Sequence, residues 1–166
     1  MNTILYFSYG SNMSVARLNN RVSSVRVVTT ARLGNHQLRF HKKGRDGSGK
    51  CDATYVDNTE GSVYGVVFEM TISQKRLLDV CEELGNGYEQ KEVSVIAGNR
   101  ETLTVLHYYA TEVDSSLKPY GWYKKHVLQG AHEHGLPSDY IARIESVNSM
   151  PDLNLKRHEK ELRIYR

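Results

Sequence analysis

Apolar and polar positions along the chain alternate in short runs, broken in a few places by helical spacing. Residues 4–8 form a β-like run that ends at Gly10. Residues 25–33 and 35–41 are β-branched or alternating, and Gly34-Asn35 between them reads as a hairpin-like break. A polar loop over 43–50 leads to strands at 52–56 and 62–70, joined through Asp57-Asn58 and Gly61. The period turns helical over 72–83, where Leu77, Leu78 and Cys81 share a face. Ser73 can cap this helix, and Ile72 with Leu77 fits a hydrophobic staple. Strands at 88–97 and 102–110 turn at Gly98-Asn99. From Tyr120 the helical period returns, aligning Tyr123, Val127, Leu128 and Ala131 before Gly135 stops it. Pro137-Ser138 opens a further helix carrying Tyr140, Ile141, Ile144 and Val147. Six or seven strands, mostly hairpin-linked and interrupted by three helices, predict a mixed α+β domain. Its sheet is strongly curved or closed, not a βαβ array.

A chain of 166 residues suffices for one core, read here as a single domain over 1–150 with a basic tail over 151–166. Within that tail Lys156, Arg157, Lys160, Arg163 and Arg166 outnumber Glu159 and Glu161, a pattern that reads as a solvated amphipathic segment. The net charge of +3 carries no clustered basic face, which argues against a nucleic-acid partner. No apolar run approaches the roughly 18 residues of a membrane span, and no secretory pattern opens the chain. Cys51 and Cys81 lack ligand spacing and read as buried thiols in a reducing compartment, so the expected location is cytoplasmic.

The candidate chemistry begins at Tyr6-Phe7-Ser8-Tyr9-Gly10-Ser11-Asn12. A strand, a glycine turn and a helix start fan backbone N–H groups toward whatever lies beyond the strand, and a small anion suits them. The segment 44–51, Gly-Arg-Asp-Gly-Ser-Gly-Lys-Cys, nearly matches a phosphate-binding loop. Cys51 replaces the magnesium-binding hydroxyl, however, and a strand follows instead of a helix. His126, His132 and His134 lack the i,i+3 or i,i+4 spacing of ligands on one helix face and read as solvated surface residues. Ser8 and Ser11 stand outside a nucleophile elbow. No metal site is expected. There remain Glu82 and Glu83, ahead of a glycine loop. A carboxylate on the apolar side of that helix would be partly desolvated and suited to general acid/base work. Glu82 lies nearer that side than Glu83.

Three of these pieces together resemble the γ-glutamylcyclotransferase family: Tyr6-Phe7-Ser8-Tyr9-Gly10-Ser11-Asn12, Leu78-Asp79 with Glu82 before a glycine loop, and Tyr123-Lys124-Lys125 opening a helix that runs to Glu133-His134-Gly135-Leu136-Pro137. Tyr64-Gly65-Val66-Val67-Phe68 is similar to the family's central strand, so the resemblance covers about residues 4–147. It implies a small β-barrel flanked by about three to four helices, in which a γ-glutamyl amine or amino acid is cyclised to 5-oxoproline with release of the amine. By the same resemblance Glu82 is the catalytic glutamate, Tyr6, Phe7, Ser8, Tyr9, Gly10 and Ser11 hold the glutamyl moiety, and Tyr123 adds a further contact. The substrate brings its own nucleophile, so no cofactor is implied, and the family admits homodimers. Where the family usually shows Glu-Gly, this chain has Glu82-Glu83, so the register between the two carboxylates stays open. The Asp46-Gly47-Ser48-Gly49-Lys50 loop resembles one in bacterial relatives and is expected to form a lip over the leaving-group side. Two other readings accompany this one: the same chemistry on a specialised γ-glutamyl amine or biosynthetic intermediate, and a non-catalytic small-molecule-binding member of the fold.

Overall fold

The described residues, 2–166 of a computed structural model, form seven strands and five α-helices. In chain order these are β1 (Thr3–Ser8), α1 (Val15–Arg21), β2 (Arg26–Gly34), β3 (His36–Lys43), β4 (Gly49–Tyr55), β5 (Ser62–Thr71), α2 (Ile72–Cys81), β6 (Tyr88–Ala97), β7 (Thr102–Ala110), α3 (Gly121–Glu133), α4 (Ser138–Glu145) and α5 (Leu155–Leu162). The order β1-β5-β2-β6-β7 closes into a barrel, with β7 meeting β1 in parallel where Leu106 faces Tyr6. Closure removes the open edges that five such strands would otherwise expose. The expected mixed α+β architecture with a closed sheet is therefore the one observed.

Connectivity departs from the hairpin reading in one place. β2 pairs with β5 and β6, whereas β3 pairs with β4 in a separate two-stranded sheet. Gly34-Asn35 is thus an exit from the barrel. Asn35 sits at φ 57°, its N–H donates to the Gly61 carbonyl at 2.8 Å, and its own carbonyl accepts from Val56 N–H at 2.8 Å. These bonds tie it to the β4–β5 connection instead of to a β2–β3 ladder.

Helix α2 is capped by Thr71, not Ser73. Gln74 N–H donates to Thr71 Oγ1 at 3.2 Å and Thr71 N–H donates to Gln74 Oε1 at 2.8 Å, a reciprocal capping box. Its buried face carries Lys75 and Leu78, while Ile72, Leu77 and Cys81 are exposed, so neither the staple nor the expected buried Cys81 forms. Two helices, α1 and α5, lie beyond the three read from periodicity. The segment expected as a solvated tail folds into α5 and a closing 3₁₀ turn, Arg163–Tyr165, that packs on α1. Helix α3 lies so close to the 3₁₀ turn Ser11–Met13 that a Cβ on Gly130 would fall 2.4 Å from Met13 Cβ. That contact fixes the turn after β1 against the helix carrying Tyr123.

Candidate active site

Strand alternation sorts the β1 residues. Tyr6 and Ser8 face a narrow cavity at the barrel end, and Phe7 turns into the core with no exposed surface. Tyr9, Gly10, Ser11 and Asn12 continue the cavity wall, joined from other elements by Cys51, Glu82, Tyr88, Tyr108 and Tyr123. The structure therefore brings Tyr6, Ser8, Tyr9, Gly10, Ser11, Glu82 and Tyr123 together and leaves the Phe7 side chain outside. The first backbone bond of the 3₁₀ turn is Met13 N–H to the Gly10 carbonyl, so Ser11 and Asn12 N–H lie ahead of it. Ser8 Oγ is buried at the cavity and makes no hydrogen bond among the described residues. A buried hydroxyl left unpaired costs free energy that a polar guest would return.

Glu82 is the C-cap of α2, which aims its side chain across the cavity mouth. Its Oε1 accepts from Asn12 Nδ2 at 2.8 Å and from Arg21 Nη1 at 2.5 Å. The expectation of a carboxylate set in an apolar wall is thereby replaced by an ion pair whose side chains are only 14% and 22% exposed. Burial works against the Arg21 charge, but the Glu82 carboxylate outweighs it and Arg21 is held above its usual pKa. Glu83 follows at φ 55°, a left-handed conformation that favours glycine, and its side chain turns outward to Arg45 Nε at 2.9 Å. The backbone thus requires at residue 83 the conformation that the Glu-Gly pattern of the family would supply at least strain. Glu82 is the carboxylate that reaches the cavity.

The remaining walls are neutral. Burial pushes Tyr6 up, with the Glu82 charge adding to it, and burial also raises Tyr9, Tyr88, Tyr108 and Tyr123. Burial pushes the Cys51 thiol up to about 12, which makes it a poor nucleophile near neutrality. These groups are locked as structure: Tyr88 Oη donates to the Cys51 carbonyl at 2.5 Å, Tyr9 Oη to the Tyr108 carbonyl at 2.6 Å, and Cys51 N–H to Tyr123 Oη at 3.0 Å. Among the ionisable side chains that line the cavity, Glu82 is the carboxylate.

The cavity opens past Ser11, Glu82, Tyr88 and Tyr123 into an outer chamber of about 240 Å³. Gly44, Arg45, Asp46 and Lys50 of the 44–50 loop line that chamber. Lys50 Nζ is 2.7 Å from Asp46 Oδ2 and 4.7 Å from the ring centres of both Trp122 and Tyr123. Strand β4 follows this loop, so no helix start faces a phosphate there.

Sequence reasoning passed over several of these residues. Asn12 stands inside the first motif, yet its contact with Glu82 is set by α2. Arg21 follows Asn12 by nine positions and carries no local signature. Arg17 Nε donates to Ser11 Oγ at 3.0 Å, and Glu161 of α5 accepts from Arg17 Nη1 at 2.5 Å, so the C-terminal helix braces the site. His126 is fully buried, with Nδ1 2.6 Å from Tyr165 Oη and Nε2 3.0 Å from Glu161 Oε2. His134 is half-buried with Nε2 2.9 Å from the Met13 carbonyl, and only His132 of the three is the exposed residue expected. Among the described residues no helix is long and apolar enough to cross a membrane.

The chain matches the AIG2-like family over residues 62–144. It is 33% identical over 153 residues to the γ-glutamylcyclotransferase of Bos taurus, spanning 87% of this chain and 79% of that protein. The Homo sapiens γ-glutamylcyclotransferase is 31% identical over the same shares. A solved structure of a γ-glutamyl cyclotransferase superposes with a TM-score of 0.84 at 26% identity, covering 96% of this chain and 99% of that one.

Proposed function

The chain belongs to the γ-glutamylcyclotransferase family, and on that premise we propose that it converts a γ-glutamyl amino acid or amine to 5-oxoproline with Glu82 as general acid and base. The carrying observation is that Glu82, paired with Arg21 and Asn12, is the titratable carboxylate at a cavity otherwise walled by buried, neutral hydroxyls and a thiol. The glutamyl part lies along Tyr6, Ser8 and the 9–11 turn, with the turn N–H groups on its α-carboxylate and Tyr123 on its flank. Phe7 supports this wall from behind.

The substrate's own α-nitrogen is the nucleophile, so the protein has to fold the chain into the attacking conformer and move protons. Glu82 takes a proton from the α-ammonium, and the freed amine attacks the γ-carbonyl carbon. Glu82 then hands its proton to the leaving nitrogen as the amide C–N bond breaks. A second proton shed by the ring nitrogen ends on the product amine, which departs as its ammonium. Atoms and charge balance without a cofactor. Arg21 and Asn12 hold the carboxylate within reach of both nitrogens. Cys51 and Cys81 are free thiols, which suits the reducing cytoplasm proposed as the protein's location.

With γ-glutamyl-alanine as substrate, Glu82→Gln is expected to lower 5-oxoproline release by about 10²–10⁴-fold, the usual scale of one general acid/base. Glu83→Gln is expected to leave it within a few-fold. Full activity in the Glu82 variant, or its loss in the Glu83 variant, would overturn the assignment.

A further inference from the structure

A second recess lies apart from the catalytic chambers, where β3 has left the barrel and α4 packs beside it. Leu38 and Phe40 of β3, Tyr140, Arg143 and Ile144 of α4, and Val147 just beyond it line a groove of about 230 Å³. None of its lining residues belongs to the inner cavity or to the outer chamber. An apolar cavity of about 150 Å³ already admits benzene, so this groove holds one aromatic ring with a short chain attached. Its walls suit such a ring: Phe40 and Tyr140 are buried aromatics, and the other apolar positions are aliphatic. The polar positions all lead to guanidinium groups. Gln37 and Ser62 also line the groove; Gln37 Oε1 accepts from Arg39 Nη2 at 3.3 Å, and Ser62 Oγ accepts from Arg32 Nη1 at 3.0 Å. Arg143 lines it directly, with its guanidinium 5.7 Å from the ring centre of Tyr140. Among the described residues only Asp139 forms an ion pair with any of these three arginines, 3.5 Å from Arg143, and the two side chains are 78% and 68% exposed. An ion pair so open to water is weak and leaves the guanidinium available to another anion.

From this we propose that the groove between β3 and α4 is a second binding site, and that it takes a small aromatic carboxylate. The ring lies against Phe40 and Tyr140, and the carboxylate meets Arg143 at the mouth. The lining selects this class of ligand. A plain hydrocarbon forgoes the guanidinium, and a small polar anion leaves the apolar walls in water. A cationic ligand meets three like charges. The planar guanidinium accepts a carboxylate through two parallel N–H bonds, which fixes the ligand's orientation along with its charge. Phe40 also meets the Tyr123 ring edge-on at 6.4 Å, so a single aromatic layer separates the bound ring from the inner cavity.

The probes are phenylpropionate and phenylpropionamide, compounds of similar size that differ in charge. Titration of each into isotope-labelled protein, followed by backbone amide chemical shifts, gives affinity and location together. Phenylpropionate is expected to shift amides of β3 and α4 saturably, with a Kd on the order of 1 mM, the scale for a ligand of so few atoms. The uncharged amide is expected to bind more weakly by about 10-fold, the scale of one charge-assisted contact. Arg143→Met keeps an apolar stem over Tyr140 and is expected to bring the two probes within about 2-fold of each other by weakening only the carboxylate. Absence of saturable shifts in β3 and α4, or shifts centred instead on Ser8, Ser11 and Glu82, overturns the inference. So do equal affinities of the two probes for wild type, or a preference for the carboxylate that survives Arg143→Met. The readout is binding alone, so the result stands whether or not the protein turns over γ-glutamyl-alanine.

Discussion

Replacing Glu161 by Gln tests whether the C-terminal helix is part of the site's frame. Glu161 Oε2 lies 2.5 Å from Arg17 Nη1 and 3.0 Å from His126 Nε2. The Arg17 side chain is 8% exposed and that of Glu161 24%. Burial raises the cost of ionising Glu161, but His126 and the Arg17 charge more than offset it and hold the carboxyl down at about 2. Gln keeps one carbonyl acceptor and removes the charge, leaving a buried guanidinium uncompensated. Breaking a buried pair in this way costs about 3–5 kcal/mol. The partial exposure of Glu161 and the bond retained by Gln reduce this to about 2 kcal/mol. For a chain of this length that is a fall in Tm of about 4–8 °C. Urea and thermal unfolding at neutral pH measure it. Because Arg17 Nε also donates to Ser11 Oγ, the loosened guanidinium should raise KM for γ-glutamyl-alanine several-fold while kcat, set at Glu82, changes little. Replacing both partners, as Arg17→Met with Glu161→Gln, removes the orphaned charge and should recover at least about 1 kcal/mol relative to additivity. A Glu161→Gln protein within about 0.5 kcal/mol of wild type, or strict additivity in the double variant, would refute the reasoning.

Two further outcomes follow from the same structure. Burial holds His107 at about 3 and His126 at about 4, both below the unfolded value of 6.5. The unfolded chain therefore binds protons first, and stability present above pH 6.5 should be lost as pH falls toward 4. The loss is about 2 kcal/mol per histidine by pH 5, read as a falling urea midpoint. A midpoint that stays flat or rises between pH 7 and 5 would contradict it. Glu83→Gly relieves a left-handed φ of 55° and gives up an ion pair with Arg45, whose side chain is 75% exposed. It is expected to keep activity and to gain about 0.5–1 kcal/mol, and a destabilised protein would show that the Arg45 contact outweighs the strain.

Local pattern alone was enough for most of the elements. The ranges of β6 and β7, the course of α3 and α4, and the strand-turn-helix order around Gly10 follow from spacing and turn residues, because each depends on contacts a few positions apart. Alternation within β1 places Tyr6 and Ser8 on one face and Phe7 on the other, a distinction that motif resemblance does not make. Which carboxylate serves the cavity was an open choice on the sequence. The backbone sets their places: α2 ends at Cys81, Glu82 lines the inner cavity, and Glu83 takes a left-handed turn outside it. Fully long-range features left no local trace. β2 and β3 separate into different sheets because Asn35 bonds to Gly61 and Val56. Arg21 meets Glu82 across 61 positions, and Glu161 braces Arg17 across 144. Lys42 and Lys43 are adjacent in the chain, and only the pairing of β3 in the fold makes the first buried and the second exposed. Such pairings depend on which elements the closed barrel brings side by side, and a polar residue's partner across the fold is chosen by packing, not by its neighbours in the chain.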